Sequence, residues 1–100
     1  MTVVLDKIQV LKEAYPSEAE FDRVLSKLLD NALGQYRLRL QRYEQDLHQF
    51  EHQYGTGSAI AYQRFEAGEM GDAMDFFEWA GMYELRQDLL EKIQRLELVL

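Results

Sequence analysis

Residues 18–54 read EAEFDRVLSKLLDNALGQYRLRLQRYEQDLHQFEHQY, and apolar side chains return in them every three or four positions. Phe21, Leu25, Leu29, Ala32, Tyr36, Leu40, Tyr43, Leu47, Phe50 and Tyr54 make one stripe, the spacing of an α-helix that buries a single face. Sustained over the whole stretch, it predicts a heptad seam of coiled-coil type. At about 1.5 Å per residue the helix would run roughly 55 Å, too long for one short globular neighbour to cover. A second helix must lie along it. The expected fold is therefore all-α, a helical hairpin or small helical bundle with one unusually long arm.

The flanking sequence supplies the other helices. Residues 3–14 carry Val4, Leu5, Ile8 and Leu11 on one face and stop at Tyr15-Pro16, where proline ends a helix. Ser17 followed by Glu20 has the spacing of a capping box, which starts the long helix at about residue 18. Tyr54-Gly-Thr-Gly-Ser58 breaks it. Ser58 is expected to cap a short helix over about 59–67, with Ile60, Tyr62 and Phe65 as its apolar contacts and Gly68 ending it. Asp72 is expected to cap a long C-terminal helix over about 73–98, whose seam is Met82, Leu85, Leu89, Ile93 and Leu96. Gly34, inside the long helix, predicts a bend or a close helix approach. No strand pattern, repeat or low-complexity segment interrupts this reading, and residues 1–100 form a single domain.

One hundred residues with 47% apolar and 29% charged side chains make a folding composition rather than a disordered one. The absence of cysteine removes disulfides, thiolate metal sites and cysteine nucleophiles together. At the N-terminus Asp6 and Lys7 break up the apolar residues, so no signal peptide is expected, and no stretch is long enough to span a bilayer. A cytoplasmic location without a membrane partner is the expectation.

The net charge of −7 is unevenly placed. Residues 1–50 hold 7 basic and 8 acidic side chains, net −1; residues 51–100 hold 4 and 10, net −6. Between Phe65 and Leu85 there is no Lys or Arg, but six acids occur: Glu66, Glu69, Asp72, Asp75, Glu78 and Glu84. Such a field repels phosphate backbones and attracts a basic partner, so direct nucleic-acid binding is not expected.

Chemistry finds little to work with. His48 and His52 are four apart on a helix, a spacing that can share a metal. They sit off the seam, however, on a flank that should face water, and no His-Glu-x-x-His or repeated Glu-x-x-His is present. The glycines form no phosphate loop, and no nucleophile or convergent cationic group accompanies the acids. Neither an enzyme nor a cofactor is expected. Arg37, Arg39 and Arg42 do not make one stripe; pairing with acids of a neighbouring helix, or solvating a long exposed arm, suits them better than DNA.

Residues 71–79, G-D-A-M-D-F-F-E-W, hold the most unusual pattern. Running the last seam backwards by heptads takes Met82 to Asp75 and Leu85 to Glu78, so two acids stand where the core stripe should continue. Phe76, Trp79 and Tyr83 make a second stripe roughly 100° around the helix. A structural reading packs these aromatics under the short helix, with Arg64 neutralising one acid. A functional reading makes them contact area for another protein, with the acids as a steering rim.

The segment Arg64-Phe-Glu-Ala-Gly68-Glu-Met-Gly71-Asp-Ala-Met74-Asp-Phe-Phe77-Glu-Trp79 resembles an R-F-x-x-G-x-x-G-D-x-M-D-F-F-E-W segment set between two long helices in small prokaryotic proteins. These are antitoxin-like partners in toxin–antitoxin operons, of the kind beside TumE-type toxins. The resemblance implies a helical hairpin that binds and neutralises a small basic toxin, such as a nuclease, encoded nearby. The DNA-binding domain and disordered tail of the commoner antitoxin design are not visible, which puts operator binding in doubt. Taken with the acidic–aromatic pattern, the expected partner-binding residues are Arg64, Phe65, Glu69, Asp72, Met74, Asp75, Phe76, Phe77, Glu78, Trp79 and Tyr83. The alternative expectation is a self-associating structural protein, a homodimer or higher oligomer through the heptad arm; a metal-binding helical protein ranks behind both.

Overall fold

A computed structural model describes residues 3–100. The leading Met-Thr of the N-terminal stretch read above lies outside them. The described residues form four helices and no strands: α1 (Val3–Ala14), α2 (Glu18–Tyr54), α3 (Ser58–Glu66) and α4 (Met74–Val99). The molecule is elongated, 58 × 29 × 17 Å. Helix α4 runs antiparallel along α2, and α3 packs chiefly on α4 at the end where the chain turns. The all-α helical hairpin expected from the sequence is the observed architecture.

Local chemistry sets the ends of α2. Ser17 is extended, and its hydroxyl accepts from the amide of Glu20 at 3.4 Å, as the capping-box spacing requires. At the other end Gly55 sits in the left-handed region at φ 66° and donates its N–H to the Glu51 carbonyl at 2.8 Å. A residue with a side chain is strained there. At the end of α3 the cap residue Ala67 stays right-handed, and Gly68 follows it in the left-handed region at φ 73°, donating its N–H to the Phe65 carbonyl at 3.0 Å.

Two apolar clusters hold the hairpin. One joins Leu33 of α2 to Leu89 and Ile93 of α4, with Tyr36, Leu40, Tyr43 and Leu96 packed around them. The other joins Leu47 of α2, Ala61 of α3 and Trp79 of α4, flanked by Phe50, Met70, Phe76, Met82 and Tyr83. Polar pairs flank the seam: Arg86 donates to Glu44 at 2.9 Å, and Arg37 to Glu97 at 3.2 Å. The Arg37 pair is the interhelical use expected for the arginines of α2, whereas Arg39 lies over the ring of Tyr36 on its own helix. The exposed Arg37–Glu97 pair contributes little, roughly 0–1 kcal/mol, and Arg86–Glu44 is a single half-buried pair, so the apolar clusters carry most of the fold.

Two expectations about the seam are corrected. Ala32 stands in the predicted stripe, but its neighbour Leu33 is the buried residue. Leu85 is exposed, because the side of α4 that meets α2 and α3 passes through Trp79, Ala80 and Leu89 instead. Gly34 makes no close helix approach: a Cβ built on it would meet nothing within 4 Å. With open space and a helical backbone, Gly34→Ala is expected to raise stability by about 1 kcal/mol. Thermal or denaturant unfolding checks this, and a loss of stability would place a neighbour where none is seen.

Candidate partner interface

The turn end of the hairpin is organised around one polar junction. Glu51, in the last turn of α2, projects its carboxylate at the start of α3. The Ser58 amide donates to Glu51 Oε2 at 2.9 Å and the Ser58 hydroxyl donates to the same oxygen at 2.7 Å. The Ser58 hydroxyl oxygen in turn accepts from Trp79 Nε1 at 2.9 Å. Three helices thus meet at one buried serine. These bonds to Ser58 hold the Glu51 carboxyl below its ordinary range; an anion at a helix N-terminus is also favoured by the helix dipole.

This junction corrects the capping expectation. Ser58 is the first residue of α3 rather than its cap, Gly57 precedes it without a side-chain bond, and Glu51 supplies the acceptor from another helix. Asp72 caps nothing either: Ala73 precedes α4 and makes no side-chain cap.

Aromatic rings fill the space between α2, α3 and α4. Trp79 is 2% exposed and stacks on Phe50 and Tyr54, each at 5.6 Å between centroids. Phe76 meets Tyr54 at 5.1 Å, Tyr83 stacks on Tyr62 at 4.8 Å, and Phe77 meets the edge of Phe65 at 5.2 Å. Two tyrosines also tether acids across helices. Tyr54 donates to Asp75, and Tyr62 donates to Glu84 at 2.6 Å. Each carboxylate pushes its phenol's pKa upward, because an anion accepting a hydrogen bond favours the protonated donor.

The expected partner-binding residues divide accordingly. Trp79 is interior and offers no surface to another protein, while Phe65, Phe76 and Tyr83 are half-buried between helices. Asp75 is half-buried too, engaged by Tyr54 and by Gln53. Exposed side chains are Arg64, Glu69, Asp72, Met74, Phe77 and Glu78. Arg64 forms no ion pair among the described residues, so it neutralises none of the nearby acids as the structural reading had it. The side chains of Glu69, Asp72 and Glu78 likewise have no hydrogen-bond partner among the described residues.

Glu78 contributes to a second feature that periodicity did not reveal. On one side of the hairpin, α2 and α4 leave a groove lined by the apolar side chains of Phe50, Met82 and Leu85 and by the polar ones of Asp46, Gln49, Gln53 and Glu78. The only charged residues lining it are acids. Its signal in the sequence was the heptad step from Leu85 back to Glu78, which set an acid where the seam should continue; both residues line the groove.

His48 and His52 are exposed on α2. Among the described residues no group of three or more His, Asp or Glu side chains comes together to hold a metal ion. No described helix is long and apolar enough to cross a membrane. Comparison with protein-family models, curated proteins and solved structures gave no match.

Proposed function

We propose that the chain is an antitoxin-like interaction protein that binds and neutralises a small basic protein encoded nearby. The observation that carries this reading is the composition of the turn end of the hairpin. Met74 and Phe77 are exposed there, next to unpaired Glu69, Asp72 and Glu78, in a segment with no Lys or Arg between Phe65 and Leu85. Exposed large apolar side chains inside a field of one sign suit a partner surface of the opposite sign. The apolar residues supply contact area, and the charges supply encounter rate and orientation. Binding of this kind would cover a cationic functional surface of the partner, such as one that grips a phosphate backbone. Neutralisation would then need no chemistry from this chain.

The unpaired acids make a clean test, because changing them disturbs no bond in the fold. A chain carrying Asp72→Lys and Glu78→Lys should keep its helical circular dichroism and unfolding midpoint. Its association with the purified basic neighbour, measured by calorimetry at low salt, should weaken by roughly tenfold or more. Wild-type affinity should also fall as salt rises. Unchanged binding in the double variant would remove the acidic face from the interface.

A further inference from the structure

At the opposite end of the molecule, α1 and the first turns of α2 carry apolar side chains that stay largely open, with Leu11, Phe21 and Val24 half-buried beside Tyr15. Val4 is 70% exposed and Leu28 59%, and Leu5, Ile8 and Leu25 are open as well. Helix α4 stops short of them, ending with Leu96 and Val99 beside Leu29 and Ala32.

The phase of the α2 stripe changes at the same place. Toward α4 the repeat is Leu29, Leu33, Tyr36 and Leu40, and its continuation backwards falls on the polar residues Ser26 and Asp22. The apolar set of the arm is instead Phe21, Val24, Leu25 and Leu28, a complete i, i+3, i+4, i+7 face. It is turned by one residue, about 100°, from that continuation. This face is not the one that α4 covers.

Helix α1 has the matching stripe. Val4, Ile8 and Leu11 repeat the four-then-three spacing of Phe21, Leu25 and Leu28, so both faces extend about 10 Å. A twelve-residue helix is marginal by itself in water. Yet within one molecule the two stripes do not close on each other: Tyr15-Pro16-Ser17 separates the helices, and every described residue of α1 except Leu11 is exposed.

We propose that the stripes dock in trans, with α1 of one copy seated on residues 21–28 of a second copy and the reverse. The arrangement is isologous, each copy supplying one helix and one face. Charge allows copies to meet at this end and opposes it at the other. Residues 1–30 hold four basic and six acidic side chains interspersed, whereas residues 65–85 hold six acids and no Lys or Arg. The open side chains of two copies amount to on the order of 1,000 Å² of apolar surface, which a polar rim extends to the size of a specific interface.

Sedimentation equilibrium of the full chain should give about twice the chain mass of 11.8 kDa. Ile8→Glu and Leu25→Lys replace residues exposed in the single molecule, so each variant should keep its helical circular dichroism. Each should nevertheless raise the dissociation constant by roughly tenfold or more, shifting the species toward monomer. Mixing the two variants should restore the dimer. In the mixed pair, one joint sets the new carboxylate against the new ammonium, and the other joint is wild type. A wild-type chain that stays monomeric at high micromolar concentration would overturn the proposal. So would a dimer indifferent to both substitutions, or a mixture that remains monomeric.

Discussion

Trp79→Ala should lower folding stability by about 3–5 kcal/mol, the largest effect expected from a single change in this chain. The indole is 2% exposed and lies against Phe50 and Tyr54, so truncation removes its transfer energy and leaves a cavity that rigid neighbours cannot fill. It also strips Ser58 of its donor. Trp79→Phe separates the two contributions: most of the volume stays, the N–H goes, and the expected loss is about 1–2 kcal/mol. Denaturant unfolding monitored by circular dichroism reads both, as a lower midpoint at unchanged slope. A loss below about 1 kcal/mol for the alanine variant would remove the indole from the core.

Phe77, two residues earlier on the same helix, should behave in the opposite way. It is 51% exposed, and its contact within the fold is an edge-on meeting with Phe65. Phe77→Ala should therefore cost less than about 1 kcal/mol in folding. If the acidic end is the docking face we propose, the same change removes its most prominent aromatic. Association with the basic partner should then weaken by about 2 kcal/mol, roughly thirtyfold. Calorimetric titration beside a thermal melt reads both quantities. A melt that falls as far as that of Trp79→Ala, with affinity retained by the folded fraction, would make Phe77 a core residue and move the interface elsewhere. The pair of substitutions divides G-D-A-M-D-F-F-E-W into a part that holds the molecule together and a part available to another protein.

What the sequence disclosed and what it withheld follow the range of the interactions. The ends of α2 were readable because Ser17, Pro16 and Gly55 act on their immediate neighbours. Its length and partner helix were readable because apolar spacing over many turns admits one shape. The choice between Ala32 and Leu33 was not, since adjacent residues differ only in the side from which α4 approaches. The strict alternation 29-33-36-40-43-47-50-54 is visible once that side is known. Leu85 misled for a related reason: α4 serves two neighbours, α2 and α3, and a single stripe cannot describe a helix with two buried sides.

The site was less legible. Acids and aromatics were in plain view, but not which acids are engaged. Asp75 and Glu84 accept from Tyr54 and Tyr62, and Glu51 accepts from Ser58, across 21, 22 and 7 residues of sequence. Ser58 had a local role available, capping, that competed with its actual one. Nothing near it in sequence announces Glu51 or Trp79 as its partners.

The Ser58 junction also bears on alignment. A heptad seam is periodic, so α4 displaced along α2 by seven residues, about 10 Å, would again set apolar side chains opposite one another. Hydrophobic packing alone discriminates weakly between such slipped states. The chain Glu51–Ser58–Trp79 has no period: it exists in one register only, and sliding α4 past α2 and α3 would leave the Trp79 indole N–H without its acceptor. Such a stranded donor costs about 1–3 kcal/mol. The seam lets the two long helices adhere at several offsets, and a single hydroxyl selects one of them.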